Sequence, residues 1–333
     1  MRIYTLGLNH SKRLFQHILS HISIYIPTIR PKPTLIVIGI TNACNLKCSF
    51  CFQGEKDAHK LDKRGERFMT IETFKKVLLQ AKELSNFIEF GLFGEPLLHP
   101  ELATFIKIAK DEGFHLTIDS NATLYSKEIA ETIVNNKVNS VVFSIDGINS
   151  KEYEAARVGA TFESVKKSID LIKESKEEKR AKLPLLIARG LELKKNTQQK
   201  HKAWMNNLGF QHILFSPLQN WSGLFSKTPS SKSSCTFPWL IMSIDSDGEI
   251  LPCCEDYNAT ISMGNIKKDT LKSIWNSKQW NKLRSYHRDK DQNCGSFETC
   301  NNCSYLQNQT LPWPVRFQLY SRALKEFTLE LFN

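Results

Sequence analysis

From residue 35 onward, short apolar runs alternate with stretches of helical period. The run 35–40 is apolar throughout, the signature of a strand buried on both faces. The stretch after Thr70 then places Phe74, Val77, Leu78 and Ala81 on one side of a helix, with the Thr70 hydroxyl set to cap its start. The alternation continues with strand 87–92, helix 101–112, strand 115–119, helix 127–135 and strand 140–145. A long helical tract runs to about 178 with Phe162, Val165, Ile169 and Ile172 in register, followed by strand 185–191, helix 198–207 and strand 212–215. Short apolar strands separated by helices imply a parallel sheet with right-handed crossovers. An incomplete βα barrel and a doubly wound sheet both satisfy this α/β pattern. Each places chemistry at the carboxyl ends of the strands.

The flanking regions read differently. Residues 1–34 form a helical preamble in which Leu14, Ile18 and Ile22 recur at helical spacing beside Lys12, Arg13 and several histidines. Packing on the body of the protein is the plain reading, and a basic amphipathic contact with a membrane surface is the weaker one. The apolar stretch 14–26 is too short to span a bilayer and is interrupted by His17, Ser20, His21 and Ser23. Residues 35–219 carry the alternation, and 220–234, rich in Ser and Lys, reads as a linker. A cysteine-rich segment, 235–310, follows with short strands and a helix at 271–283, and a last helix falls within 311–333.

Composition adds two constraints. The net charge is +11, but the basic residues are interspersed with acids, as in 173–182, and no aromatic-spaced basic motif accompanies them. A nucleic-acid partner is therefore not expected. The nine cysteines are odd in number, and no secretory h-region with a small-residue cleavage site precedes them. A reducing cytoplasm with thiolate-bound metal is the expectation, rather than a disulfide framework.

The chemistry concentrates first at Cys44, Cys48 and Cys51, spaced C-x3-C-x2-C just after the first strand. Three thiolates on one short loop are a poor structural zinc site, which takes four protein ligands. They suit an iron–sulfur cubane with one iron left open. Such an iron can be chelated by the amino and carboxylate groups of S-adenosylmethionine (SAM). The motif, with the aromatic Phe50 before its last cysteine, resembles that of the radical SAM superfamily. Phe93-Gly94-Glu95-Pro96 after the second strand resembles that family's GGEP, with Phe93 in place of the first glycine. Ser120-Asn121-Ala122 after the third strand is a looser match to TNG, and Ser144-Ile145-Asp146-Gly147 after the fourth is similar to SxDG.

The resemblance implies a partial (β/α)6 TIM-like barrel holding a SAM-binding [4Fe–4S] cluster on Cys44, Cys48 and Cys51. It also implies a Glu95 carboxylate and nearby carbonyls, Gly94 among them, on the methionine ammonium. Phe50 would lie against the adenine, Asn121 and Ser144 near SAM, and Arg157 toward an anionic group. Arg189 and Glu192, at the end of the fifth strand, are candidates for substrate contact, at most one of them pointing inward. His99 reads as a loop histidine capping the following helix.

Six further cysteines, Cys235, Cys253, Cys254, Cys294, Cys300 and Cys303, lie in the C-terminal segment. Cys235-x12-Gly248-x4-Cys253 and Cys300-x2-Cys303 resemble the SPASM/twitch auxiliary-cluster domain, as do Gly264-Asn265-Ile266 and Ser273-Ile274-Trp275-Asn276. That likeness implies one auxiliary [4Fe–4S] cluster on Cys235, Cys253, Cys300 and Cys303, with Cys254 and Cys294 as packing thiols or ligands of an incomplete second cluster. A four-cysteine zinc site is the competing reading.

The activity implied is that of an oxidoreductase. SAM is cleaved reductively to a 5′-deoxyadenosyl radical, which takes a substrate hydrogen, and a flavodoxin- or ferredoxin-type partner supplies electrons. Too few residues precede the first strand for a leader-binding domain, so the expected substrate is a small sugar- or aminocyclitol-like molecule undergoing two-electron oxidation. A peptide-modifying or sulfatase-type maturase is the alternative, and a non-catalytic iron–sulfur or zinc scaffold is the reading of another class.

Overall fold

Strand β1 (Leu35–Ile38) is buried along its whole length, as a continuous apolar run requires. The computed structural model describes residues 32–55, 67–226, 235–289 and 297–304. Next to β1 lie β2 (Phe87–Phe90), β3 (His115–Ser120), β4 (Ser140–Ser144), β5 (Leu185–Leu191) and β6 (His212–Ser216), in chain order and all parallel. The connections carry α1 (Ile71–Ala81), α2 (Leu102–Asp111), α3 (Lys127–Asn135), α4 (Ser150–Ala156) with α5 (Phe162–Glu178), and α6 (Lys195–Asn207). Thr70 caps α1 by accepting from the Thr73 amide, and Ser126, Asn149 and Thr161 do the same for α3, α4 and α5.

The single tract expected after β4 is two helices. The chain leaves α4 at Arg157 and turns through Gly159 at φ +97° before Thr161 starts α5.

Alternation on the strands sorts side chains into two layers. Ile88, Phe90, Leu116 and Ile118 pack with Phe74, Phe105 and Ile133 from the helices in one apolar layer. Glu89, Thr117 and Asp119 occupy the opposite, inner face of the partial barrel and stay half-buried. Val142, Ile187 and Leu214 form an apolar patch of their own on alternate positions of β4, β5 and β6.

The C-terminal cysteine-rich segment extends the same sheet. Helix α7 (Phe237–Leu240) leads into β7 (Ile241–Ile244), which pairs parallel with β1 on the side away from β2. Strands β8 (Glu249–Leu251) and β9 (Gly264–Asn265) continue antiparallel, giving the order β6-β5-β4-β3-β2-β1-β7-β8-β9. Gly248 makes the β7–β8 turn at φ +87°, where a Cβ would come within 2.5 Å of Ile266.

The helix expected at 271–283 is broken into α8 (Leu271–Trp275) and α9 (Lys278–Asp289). The Asn276 amide folds back onto the Lys272 carbonyl at 2.8 Å, and the Ser277 hydroxyl accepts from the Trp280 amide at 3.1 Å. One side chain ends the first helix and the next starts the second. The break brings the Trp275 and Trp280 rings to 4.6 Å, with Arg284 over Trp275.

Helix α10 (Glu298–Asn301) carries Cys300. Residues 221–226, expected as the start of a linker, pack instead against both cysteine regions, for the reasons given below. The rest of the expected linker, the preamble up to residue 31, the helix within 311–333 and Cys294 lie outside the described residues. Among the described residues no helix is long and apolar enough to cross a membrane.

Candidate active site

The loop after β1 carries Cys44, Cys48 and Cys51, and the ends of the following strands hold it in place. The Glu95 amide donates to the Ala43 carbonyl at 2.8 Å, and the Lys47 and Ser49 amides donate to the carbonyls of Val158, just past α4, and Ala156, its last residue. Gly94 lies so close that a Cβ there would stand 2.5 Å from the carbonyl oxygens of both Thr41 and Ala43. The glycine of this turn therefore answers a steric need. Gly94→Ala is expected to cost about 1–3 kcal/mol of stability and to weaken SAM binding. Thermal denaturation and SAM titration of the variant check both.

The three thiols feel one another's charge. Burial pushes Cys44 up to about 11 and Cys51 up to about 12. Burial also raises Cys48, with the Arg157 guanidinium pulling the other way. Three buried thiolates need compensating positive charge, and iron supplies it; the donor set fits a cubane held by three sulfurs. Asn121 turns its amide toward Cys44 Sγ at 3.9 Å and bonds Asn45 Oδ1 at 2.9 Å. The turn after β3 thereby steadies the first cysteine.

Glu95 is 2 % exposed, and its carboxylate accepts from the Leu97 amide (3.1 Å), the Ser120 hydroxyl (2.8 Å) and the Asn121 amide (2.7 Å). Burial raises it to about 7, while these donors pull it down. These three donors pin the β2 turn to the end of β3 through the Glu95 carboxylate, which the resemblance places beside the methionine ammonium.

Asp146 plays a similar part at β4. Its Oδ1 accepts from the Leu191 amide at 2.8 Å, and its Oδ2 receives both Nε and Nη2 of Arg157 at 2.7 Å. Burial works against the Arg157 charge, but Asp146 and then Cys48 more than offset it. The guanidinium also lies 5.6 Å from the centroid of the Phe50 ring. Arg157 is thus a fixed positive charge beside Cys48, neutralised by Asp146. Ser144 ends β4 in register with Arg189 on β5, and Arg189 pairs with Asp119 on β3. Glu192 is exposed, so of the two only Arg189 turns inward. His99 accepts from the Glu101 amide at 3.1 Å and bonds the Met69 carbonyl at 2.9 Å, a buried capping residue.

The second site is a cavity lined by Cys235, Cys253, Cys300 and Cys303, with Phe237, Pro238 and Pro252 in its walls. Burial raises Cys235, Cys253 and Cys300, and each of these thiols senses others in the set. Four sulfurs around one cavity are a donor set for a four-iron cluster or for one zinc.

Cys254 does not line this cavity. Burial pushes its thiol up to about 12, with Glu255 adding to the rise and Arg189 opposing it.

Sequence reasoning missed Trp221, Glu255 and Tyr257. Trp221 donates from Nε1 to the Phe50 carbonyl at 2.8 Å and packs its ring against Phe52 and Tyr257. The signal available was a cluster of large apolar residues, Trp221, Leu224 and Phe225, within a stretch otherwise polar enough to read as a linker.

Comparison with known proteins agrees with this geometry. Residues 38–183 match the family model of the radical SAM superfamily, and 235–304 match SPASM, an iron–sulfur cluster-binding domain. The chain is 25% identical over 323 residues to the tungsten-containing aldehyde ferredoxin oxidoreductase cofactor-modifying protein of Pyrococcus furiosus, covering 81% of this chain and 86% of that protein. Its fold is similar to that of BtrN in complex with AdoMet and 2-DOIA (TM-score 0.58, 19% identity, 83% of this chain and 94% of that one). It is also similar to Streptococcus suis SuiB bound to precursor peptide SuiA (TM-score 0.65, 16% identity, 89% and 76%). With the sheet order, the cysteine loop at the end of β1 and the cysteine-lined cavity beside β7 and β8, these matches show that the chain belongs to the radical SAM superfamily and carries a C-terminal SPASM domain.

Proposed function

We propose that this enzyme removes two electrons and two protons from a small polar molecule bound on the inner face of the barrel. Cys44, Cys48 and Cys51 would hold the SAM-site [4Fe–4S] cluster, and Cys235, Cys253, Cys300 and Cys303 one auxiliary cluster. When bound, SAM and its cluster supply a radical that takes a C–H hydrogen, and the auxiliary cluster supplies an acceptor for the second electron.

The observation that carries the substrate reading is the polar inner face. Glu89, Thr117, Asp119, Ser144 and Arg189 all come from alternate strand positions, with Asp119 and Arg189 paired and Thr117 bonded to Ser140 at 2.8 Å. Such a lining orients hydroxyl and amine groups, as in a sugar or aminocyclitol. The BtrN complex with 2-DOIA and the cofactor-modifying relative support a small-molecule substrate by analogy. The chain's own residues orient the substrate, close the site to water and set the charge around Cys48 through Arg157 and Asp146.

A one-electron donor of the flavodoxin or ferredoxin type would feed the SAM site, and the net charge of +11 suits an acidic carrier.

The test is anaerobic turnover with reductant and SAM over a panel of sugars, aminocyclitols and candidate peptides. A product two hydrogens lighter than a sugar or aminocyclitol, formed with 5′-deoxyadenosine, is the expected result. Arg189→Met is expected to raise KM for that substrate about tenfold, the scale of one charge-assisted hydrogen bond, while substrate-free SAM cleavage stays unchanged.

The peptide reading has its own observation. Leu193, Leu218 and Phe225 are exposed on the segments that follow β5 and β6, where an extended chain entering the barrel would run. A thioether or crosslink formed in a peptide of the panel would replace the small-molecule reading.

A further inference from the structure

Trp221 and Ser222 both sit in the left-handed region, at φ +48° and +53°, although neither is glycine. Such backbone costs of order 1–3 kcal/mol per residue and persists only where the surroundings over-determine it. Here they do so from two directions.

Toward the SAM site, Trp221 Nε1 donates to the carbonyl of Phe50, the residue just before Cys51, at 2.8 Å. Its ring lies 5.0 Å from that of Phe52, just after Cys51. Toward the auxiliary site, the Ser222 amide donates to Glu255 Oε2 at 2.9 Å and its hydroxyl to the Glu255 carbonyl at 3.0 Å, two residues from Cys253. Asn220 reaches the other half of the auxiliary set. Its Nδ2 donates to the Asn302 carbonyl at 2.7 Å, its amide donates to the Ser304 hydroxyl at 3.0 Å, and its Oδ1 accepts from the Ser304 amide at 2.9 Å. Asn302 and Ser304 flank Cys303. Tyr257 closes the arrangement, its ring 5.0 Å from Phe52 and 6.2 Å from Trp221.

Residues 220–222 are thus bonded to the loop of Cys51, the loop of Cys253 and the Cys300–Cys303 turn at once. Both ends of the auxiliary cysteine set are therefore bonded to this one short segment. We infer that this segment is a mechanical tie through which the loaded auxiliary site holds the Phe50–Cys51 side of the SAM pocket in its binding shape, with Trp221 as the positioning residue. The inference rests on the ligand assignment proposed above. Coupling of this kind is reciprocal: if the auxiliary site favours SAM, SAM must favour the loaded auxiliary site.

The experiment uses the full chain with both sites reconstituted. SAM is titrated into wild type, Trp221→Phe, Glu255→Ala and Glu255→Gln, read by the EPR spectrum of the reduced SAM-site cluster. Iron release to bathophenanthroline is followed with and without SAM. All four proteins are expected to hold about 8 irons. SAM affinity is expected to fall about tenfold in Trp221→Phe and Glu255→Ala, and to recover in Glu255→Gln, which keeps an acceptor for the Ser222 amide. In wild type SAM should slow loss of the auxiliary irons severalfold, and in Trp221→Phe it should not.

SAM affinity within twofold of wild type in both Trp221→Phe and Glu255→Ala, at full iron loading, overturns the tie. Should those variants fail to load, the chelation experiment on wild type decides by itself, and absence of protection by SAM overturns it. A wild-type count of about 4 irons removes the ligand assignment instead, and the tie with it.

Discussion

Replacing Cys44, Cys48 and Cys51 together by alanine is expected to lower the iron content of the anaerobically reconstituted chain from about 8 to about 4 and to abolish 5′-deoxyadenosine formation. The loop explains why the loss should be complete. Its three thiols are the closely grouped donors at the end of β1, and burial raises all three, so they bind a cationic cluster or remain neutral thiols. The fold should survive, because the loop is fixed by backbone bonds from Glu95, Lys47 and Ser49 rather than by the sulfurs. Mössbauer spectroscopy counts the irons and chromatography the nucleoside. Residual SAM cleavage in the triple variant would dislodge these residues from the site.

Replacing Cys300 and Cys303 by alanine is expected to remove the other 4 or so irons and to uncouple the reaction. At saturating SAM the variant should still release 5′-deoxyadenosine, but oxidised product should fall by two orders of magnitude or more, since each hydrogen abstraction then leaves a substrate radical with no acceptor for its electron. Both cysteines line the same cavity as Cys235 and Cys253, so their loss leaves two sulfurs, too few for a cubane. Product formed in proportion to 5′-deoxyadenosine in this variant would show that the auxiliary site is not the electron acceptor. About 4 irons in wild type, with zinc at the second site, would give that site a structural role and exclude the oxidation proposed here.

The barrel was legible because its strands are short apolar runs and its helices carry one apolar face each. Those are local patterns of period 2 and 3.6, and they recur in chain order. The cysteine loop was legible for a similar reason, since C-x3-C-x2-C lies within one turn of chain. Boundaries failed where a single residue ended a helix, by its backbone at one site and by its side chain at the other. The β4–β5 crossover breaks at Gly159, and the helix expected at 271–283 breaks where Asn276 and Ser277 cap in opposite directions. An apolar period continues through both breaks, so periodicity alone does not register them.

Roles were harder to read than positions. Glu95 stands in the expected turn, and its carboxylate accepts from Leu97, Ser120 and Asn121, two of them about 25 residues away along the chain. The pairing of Arg157 with Asp146, eleven residues earlier, is likewise a product of the folded turn after β4. Residues 220–226 read as solvent-spanning because of their composition. Their partners, Phe50, Glu255, Asn302 and Ser304, lie between about 30 and 170 residues distant.

The sequence by itself determined the parallel α/β architecture, the two groups of cysteines and the order of the turns around SAM. The architecture follows from local periodicity, the cysteine groups from spacing along one chain, and the SAM turns from their resemblance to the family's motifs. Tertiary structure alone decided that β7 pairs with β1 and draws the SPASM region into the barrel's own sheet. It also decided that Cys253 lines the auxiliary cavity while its neighbour Cys254 does not, and that Trp221 joins the two cysteine sites. Those outcomes depend on contacts between segments far apart in the chain, where burial and hydrogen-bond satisfaction, rather than local pattern, select the partner.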